Sequence, residues 1–278
     1  MDAVSKVLKI YRAYQDTLFE DLFRSTVQFL KYDKKDKPAG FGTGVLVYID
    51  DHYFVFTAGH VIDEEANDLW VPLGGDELIR LGGDYLTNAH PDRKNDDIDI
   101  GVIVLSATTA EALKKLYWFI TEDEIQLDHE FMERQEYLVF GYPATKTKSN
   151  FKMNKLVSRP LKYITAPGAS NRYKRMKCDP DHRVLVHYDR SSVLNLKTGR
   201  QQKGPASHGM SGCGFWHIPI QGLTEKTREK KLVAILTDWP NGNWWIGTRV
   251  DVFTEFVRQR LKLKFQEPQK LKITITNL

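Results

Sequence analysis

From Thr26 to Val250 the chain is written in short runs of Val, Ile, Phe, Tyr and Thr with turn signals between them. Runs of this kind are strand-sized, and β-branched and aromatic side chains suit a pleated, half-buried surface. A first series falls at 26–32, 43–49, 52–58, 69–73, 78–81 and 99–105. A second falls at 136–141, 154–164, 184–188, 212–217, 231–237 and 244–250. Between the series, 108–119 reads as a short helix, so the chain divides into two halves near 108–125. Many short strands with turn clusters between them predict an all-β barrel or sandwich. No internal repeat is visible.

The two ends read differently. Val4, Val7, Leu8, Tyr11, Tyr14, Leu18, Leu22 and Phe23 recur at helical spacing, with Lys6, Arg12, Asp16, Glu20 and Asp21 elsewhere on the wheel. An amphipathic helix over 1–24, packed on its own domain, is expected. Val252, Phe253, Phe256, Val257 and Leu261 predict a second helix over 252–262. The tail 263–278 is basic and then alternates from Leu271, so it either adds a strand or stays loose.

Composition excludes several classes of function. A net charge of +4 over 278 residues is slight, and no nucleic-acid partner is expected. Two cysteines, Cys178 and Cys213, cannot make a disulfide framework or a four-ligand zinc site. No HExxH occurs, and His182 and His187 have no ligand pattern around them, so no metal or cofactor is expected. No apolar run is long enough to span a bilayer, and no membrane partner is expected. Met1-Asp-Ala-Val-Ser-Lys6 carries no apolar stretch behind a basic start. These features point to a cytoplasmic protein.

Three segments carry chemistry: Gly204-Pro-Ala-Ser-His-Gly-Met-Ser-Gly-Cys-Gly214, Phe54-Val-Phe-Thr-Ala-Gly-His-Val61 and Asp97-Ile-Asp-Ile-Gly-Val-Ile-Val-Leu105. Each alone has a bland reading. A lone histidine is more often a satisfied core residue, a strand-start aspartate caps a turn, and most Gly-Ser-Gly turns only turn. Together they supply a nucleophile, a base and an orienter. Ser211 is a poor nucleophile unless a base takes its proton during attack. His60 can do so near neutral pH and later protonate the leaving amine. Asp99 would hold the imidazole tautomer, and the N–H groups of Gly209 and Ser211 would face the developing oxyanion. Asp97 remains the alternative to Asp99, since residues two apart on a strand share a face. Asp96 would face the other way.

Thr57-Ala-Gly-His-Val61 resembles the histidine motif of trypsin-like serine peptidases, and Asp99-Ile-Gly-Val-Ile103 resembles their aspartate motif. Gly209-Met-Ser-Gly212 is similar to their serine motif, in the G-M-S-G form of some bacterial intracellular members. Gly42-Thr-Gly-Val-Leu46, Leu232-Val-Ala-Ile-Leu-Thr237 and Gly247-Thr-Arg-Val250 are similar to further strands of the family. The resemblance covers about 25–262. It implies two six-stranded antiparallel β-barrels, about 25–120 and 125–250, with the residues His60, Asp99 and Ser211 in the cleft between them.

The departures from that family are informative. Its digestive members are activated through an aspartate just before the serine, and here that place holds the uncharged Met210. Activation by that route is not expected. From the three motifs, the expected activity is a serine endopeptidase, acting on protein or peptide through an acyl-enzyme. Control by a regulatory protein partner or a stress or defence system is the expectation. The alternative is a catalytically inactive trypsin-fold binding or scaffold module. The resemblance places Pro205 at the floor of the primary pocket and Ala206, Thr237, Asp238, Trp239 and Trp245 about its walls. It does not choose among a basic side chain drawn by Asp238, a small one limited by Trp245, and an acidic one bound by His208.

Overall fold

The computed structural model describes residues 18–63, 68–88, 96–131, 135–150, 155–195, 200–218, 229–240 and 243–271. Helix α1 (18–25 of the described chain) runs directly into β1 (Thr26–Tyr32), followed by β2 (Pro38–Ile49) and β3 (His52–Ala58). A four-residue turn, α2 (Gly59–Ile62), leads on to β4 (Trp70–Pro72), β5 (Leu78–Arg80), β6 (Gly83–Thr87) and β7 (Ile100–Leu105). These strands make one seven-stranded antiparallel sheet in the order β5-β4-β1-β2-β3-β7-β6.

Helix α3 (Ala107–Leu113) begins the crossing to the second half, which opens with β8 (Glu136–Gly141). The hairpin β9 (Thr147–Asn150) and β10 (Lys155–Ser158) follows, then β11 (Leu161–Thr165), α4 (Ser170–Arg175) and β12 (Arg183–His187). A second hairpin, β13 (Val193–Asn195) and β14 (Arg200–Gln202), precedes β15 (Gly214–Ile218), β16 (Lys231–Asp238) and β17 (Trp244–Arg249). The second sheet has six antiparallel strands in the order β11-β8-β15-β16-β17-β12. Helix α5 (Val250–Leu261) ends where Lys262 turns left-handed, at φ 57°.

The two curled sheets match the expected double β-barrel. Strand alternation builds their cores, because successive side chains leave opposite faces. On β3, Phe54 and Phe56 enter the core shared by the two halves while Val55 enters the first barrel. On β8, Leu138 and Phe140 join the shared core while Tyr137 and Val139 fill the second barrel. Helices α1 and α5 close the shared core with Leu18, Leu22, Phe253 and Phe256, and Phe253 stacks on Phe56 at 5.3 Å.

Several expectations need correction. The first sheet has seven strands rather than six, because the half-polar Gly83–Thr87 pairs with the free edge of β7. The predicted helix 108–119 stops at Leu113. Tertiary pairing then takes over, with the Trp118 N–H on the Arg24 carbonyl and the Ile120 N–H on the Leu46 carbonyl. The predicted strand 154–164 splits into β10 and β11 around Pro160. Phe23, assigned to the apolar stripe, is 48% exposed, whereas Leu18, Phe19 and Leu22 are buried. The rest of that stripe lies outside the described residues. The tail from Leu263 to Lys270 lies along the barrels, with the Lys264 N–H on Asp50 and the Gln269 and Lys270 N–H groups on Asp128. Residues 272–278, most of the alternating run, are outside the described residues. Among the described residues, no helix is long and apolar enough to cross a membrane.

Candidate active site

His60 sits in α2, the turn that ends β3, so a buried strand delivers it to the surface, where its side chain is 37% exposed. Asp99 grips it at two points. Its Oδ2 lies 2.6 Å from His60 Nδ1, and its Oδ1 accepts the His60 backbone N–H at 2.9 Å. The Asp99 carbonyl also accepts the Gly59 N–H at 2.8 Å. Asp99 is itself left-handed, at φ 47°, a conformation that aspartate tolerates better than most residues. The turn holding it is braced from behind. Asp96 accepts from Ile98 N–H and Asn88, and Asn88 accepts the Ile100 N–H. Gly101 is required next to it, since a side chain there would strike the Ala58 carbonyl at 2.5 Å. Burial pushes the Asp99 carboxyl above the usual carboxylate range, against the pull of its bonds to His60.

The alternative carboxylates point elsewhere. Asp97 is 68% exposed and pairs with Arg183 Nη1 at 2.9 Å, while Asp96 serves the turn. Residues two apart share a face only along a strand. Here β7 starts at Ile100, so the left-handed Asp99 breaks that alternation.

Ser211 comes from the second half, in the turn between β14 and β15, and is 2% exposed. Its carbonyl accepts the Thr43 N–H at 2.9 Å, and the Gly212 N–H donates to Leu236 at 2.7 Å. Gly212, at φ 88°, lies so close to β2 that a Cβ would fall 1.9 Å from the Thr43 carbonyl oxygen. Thr43 then ties the turn to the histidine side. Its hydroxyl donates to the Gly209 carbonyl at 2.7 Å, and its carbonyl accepts from Thr57 Oγ1 at 2.8 Å, three residues before His60. Trp239 also spans the gap, edge-on to both His60 (6.3 Å) and His208 (5.6 Å). Among the described residues Ser211 Oγ makes no hydrogen bond, to His60 or to any other group.

The backbone of this turn has its carbonyls tied off behind it. The His208 carbonyl accepts the Ala144 N–H at 2.8 Å, and the Met210 carbonyl accepts the Cys213 N–H at 3.0 Å. In a trans peptide the N–H points opposite to its carbonyl. The Gly209 N–H therefore faces away from Ala144, and the Ser211 N–H faces away from Cys213. Neither donates to a backbone carbonyl among the described residues. Gly209 holds φ 84°, and a Cβ there would strike the Ala144 nitrogen at 2.6 Å. Two free donors beside a hydroxyl are able to hold an oxygen that gains negative charge.

The sequence-predicted pocket residues scatter. The Pro205 carbonyl accepts the Tyr188 hydroxyl at 2.8 Å, and Ala206 is half-buried beside it. Thr237 turns inward, 3.3 Å from the Thr248 hydroxyl, and lines no wall with its side chain. Asp238 lies 3.5 Å from Arg183 Nη2, a guanidinium it shares with Asp97. Trp239 stands at the cleft as described. Sequence reasoning missed Thr43, Ala144 and Arg183, which act across the fold. Only the Gly42-Thr-Gly44 spelling hinted at the first. Both glycines are needed there, because Val61, Val55 and Phe29 occupy the space a Cβ would take.

No family model matches the sequence, and no curated protein matches it. Solved structures do resemble it. An inactivated protease paralogue of the scabies mite, S-D1, aligns with a TM-score of 0.51 at 15% identity, covering 88% of this chain and 96% of its own. The fold is that of the trypsin-like serine proteases. A thermostable serine protease, AL20, from an extremophilic microorganism aligns at a TM-score of 0.45 and 12% identity, covering 81% of this chain and 91% of its own.

Proposed function

We propose that this chain is a serine endopeptidase in which Ser211 attacks the peptide carbonyl, His60 takes and returns the proton, and Asp99 orients His60. The observation that carries this reading is the two-point grip of Asp99 on His60, opposite a glycine turn whose two free N–H groups flank Ser211. With Asp99 on Nδ1, the other ring nitrogen is the one left to receive the hydroxyl proton. The Gly209 and Ser211 N–H groups would then stabilise the tetrahedral oxyanion, and collapse would leave an acyl-enzyme for water to hydrolyse. A bond from Ser211 to His60 need not exist before substrate arrives, because such contacts often tighten only in the complex. Control by a protein partner belongs to the same proposal. Met210, buried and uncharged, offers no ion pair through which a new N-terminus could switch the site. A reducing cytoplasm fits the two free, buried cysteines.

A second reading, a non-catalytic binding module, is favoured by one observation: Ser211 Oγ stands unbonded to His60. The S-D1 protein also bears the description of an inactivated protease. A fluorophosphonate probe at neutral pH separates the two. Covalent labelling that disappears in Ser211→Ala is expected. Failure to label the folded protein would overturn the enzymatic reading.

A further inference from the structure

Behind the nucleophile turn, the described residues of the second barrel form an aromatic, closely packed cluster. Trp245 on β17 is fully buried and its indole N–H donates to Ser207 Oγ at 2.8 Å. Ser207 in turn accepts the Met210 N–H through its carbonyl, so the indole abuts the turn that carries Ser211. Tyr188 stacks on the indole at 3.8 Å and 12°, and its hydroxyl holds the Pro205 carbonyl at 2.8 Å. Tyr163 closes both rings edge-on, at 5.0 Å from Tyr188 and 5.6 Å from Trp245. The stack reaches as far as Gly204, where a Cβ would lie 2.5 Å from the Tyr188 hydroxyl. Interiors packed this closely have no spare volume to lend a ligand.

We infer that Trp245, backed by Tyr188, fills the primary specificity pocket and restricts the residue before the cleaved bond to glycine, alanine or serine. The inference rests on the endopeptidase reading. In that reading, a peptide carbonyl at Ser211 with its oxygen at the Gly209 and Ser211 N–H groups would send the side chain of that residue over 205–207. There it meets the half-buried Pro205, Ala206 and Ser207, with two hydrogen-bonded aromatic rings directly behind. A larger side chain must break the indole bond or the stack, which its own binding does not replace.

The test uses the full chain and a series of peptidyl phosphonates that differ only in that residue, alongside a small fluorophosphonate. The alanine and glycine probes should label Ser211 more than ~200-fold faster than the phenylalanine, lysine and glutamate probes, a gap beyond the ~10- to 200-fold that one methylene supplies. Trp245→Ala should gain the phenylalanine probe, and Trp245→Leu, a milder change, should gain the valine probe. Equal labelling of the wild-type protein by the alanine and phenylalanine or lysine probes would overturn the inference and leave the enzyme reading intact. No labelling by the small fluorophosphonate would instead overturn the enzyme reading, and this inference with it. The wild-type series decides the matter whether or not either variant folds.

Discussion

The histidine wall of the site is held mainly by side chains, and the serine wall mainly by backbone. His60 is fixed by a carboxylate with two bonds, on a turn braced by Asp96 and Asn88. Ser211 is fixed through carbonyls and N–H groups tied to Thr43, Ala144 and Leu236, with glycines where the chain passes closest. The difference fits the proposed tasks. A base must keep one ring orientation, which a side-chain partner can impose. A nucleophile beside an oxyanion site needs its N–H groups free, so its neighbours must be bound on the other side. The walls should therefore fail differently when altered.

Removing the chemistry should have the largest effect. Ser211→Ala and His60→Ala should each lower turnover by ~10^6, with little further loss on combining them, as for groups that work as one unit. Either variant retaining substantial peptidase activity in a kinetic assay would break the comparison outright. Asp99→Asn should lower turnover by ~10^4 by presenting the wrong imidazole tautomer. Asp97→Asn should do far less, because Asp97 is exposed and paired with Arg183. The reverse ranking in kcat would move the orienting role to Asp97.

On the serine wall the damage should appear first in folding. Gly212→Ala forces a left-handed alanine, which costs ~1–2 kcal/mol before the collision with Thr43 is added. Denaturant unfolding should show at least that loss, and unchanged stability would show that β2 and the turn part easily. Thr43→Val keeps the strand but removes the hydroxyl that holds the Gly209 carbonyl. A fall in kcat of ~10- to 100-fold with nearly unchanged KM is expected from a misplaced turn. An equal fall in the His60 and Ser211 walls' own readouts, labelling rate and pH profile alike, would argue for general unfolding instead.

The last effect is confined to acid. Burial lowers His129, in the second half, from about 6.5 to about 3, and the nearby His217 is lowered too. Between those values the unfolded chain binds a proton that the folded chain does not. Stability is then complete above about 6.5 and lost as pH falls toward about 3, at up to ~1.4 kcal/mol per pH unit for one group. His129→Gln should flatten this slope in pH-dependent unfolding, and an unchanged slope would assign the acid sensitivity elsewhere.

The sequence by itself determined the strands whose runs are apolar almost throughout. Strands 26–32, 52–58 and 136–141 stand where their apolar runs put them, because successive side chains leave opposite faces and both faces are buried. It also marked His60 and Ser211, since their chemistry needs particular neighbours in the local chain: a buried strand ending at the base, and glycines around the nucleophile. It left Asp97 and Asp99 open, and only the folded turn, with Asp99 at φ 47° and Arg183 drawing Asp97 away, separates them. The short strands β6, β9, β13 and β14 carry too few apolar side chains to announce themselves, and pairing with neighbours decides them. The Thr43, Ala144 and Trp245 contacts join residues far apart in the chain: the Thr43 hydroxyl on the Gly209 carbonyl, the Ala144 N–H on the His208 carbonyl and the Trp245 indole on the Ser207 hydroxyl. Which distant partner such a group meets is not written in its residue type, so the tertiary structure alone decided how the serine wall is held and what packs behind it.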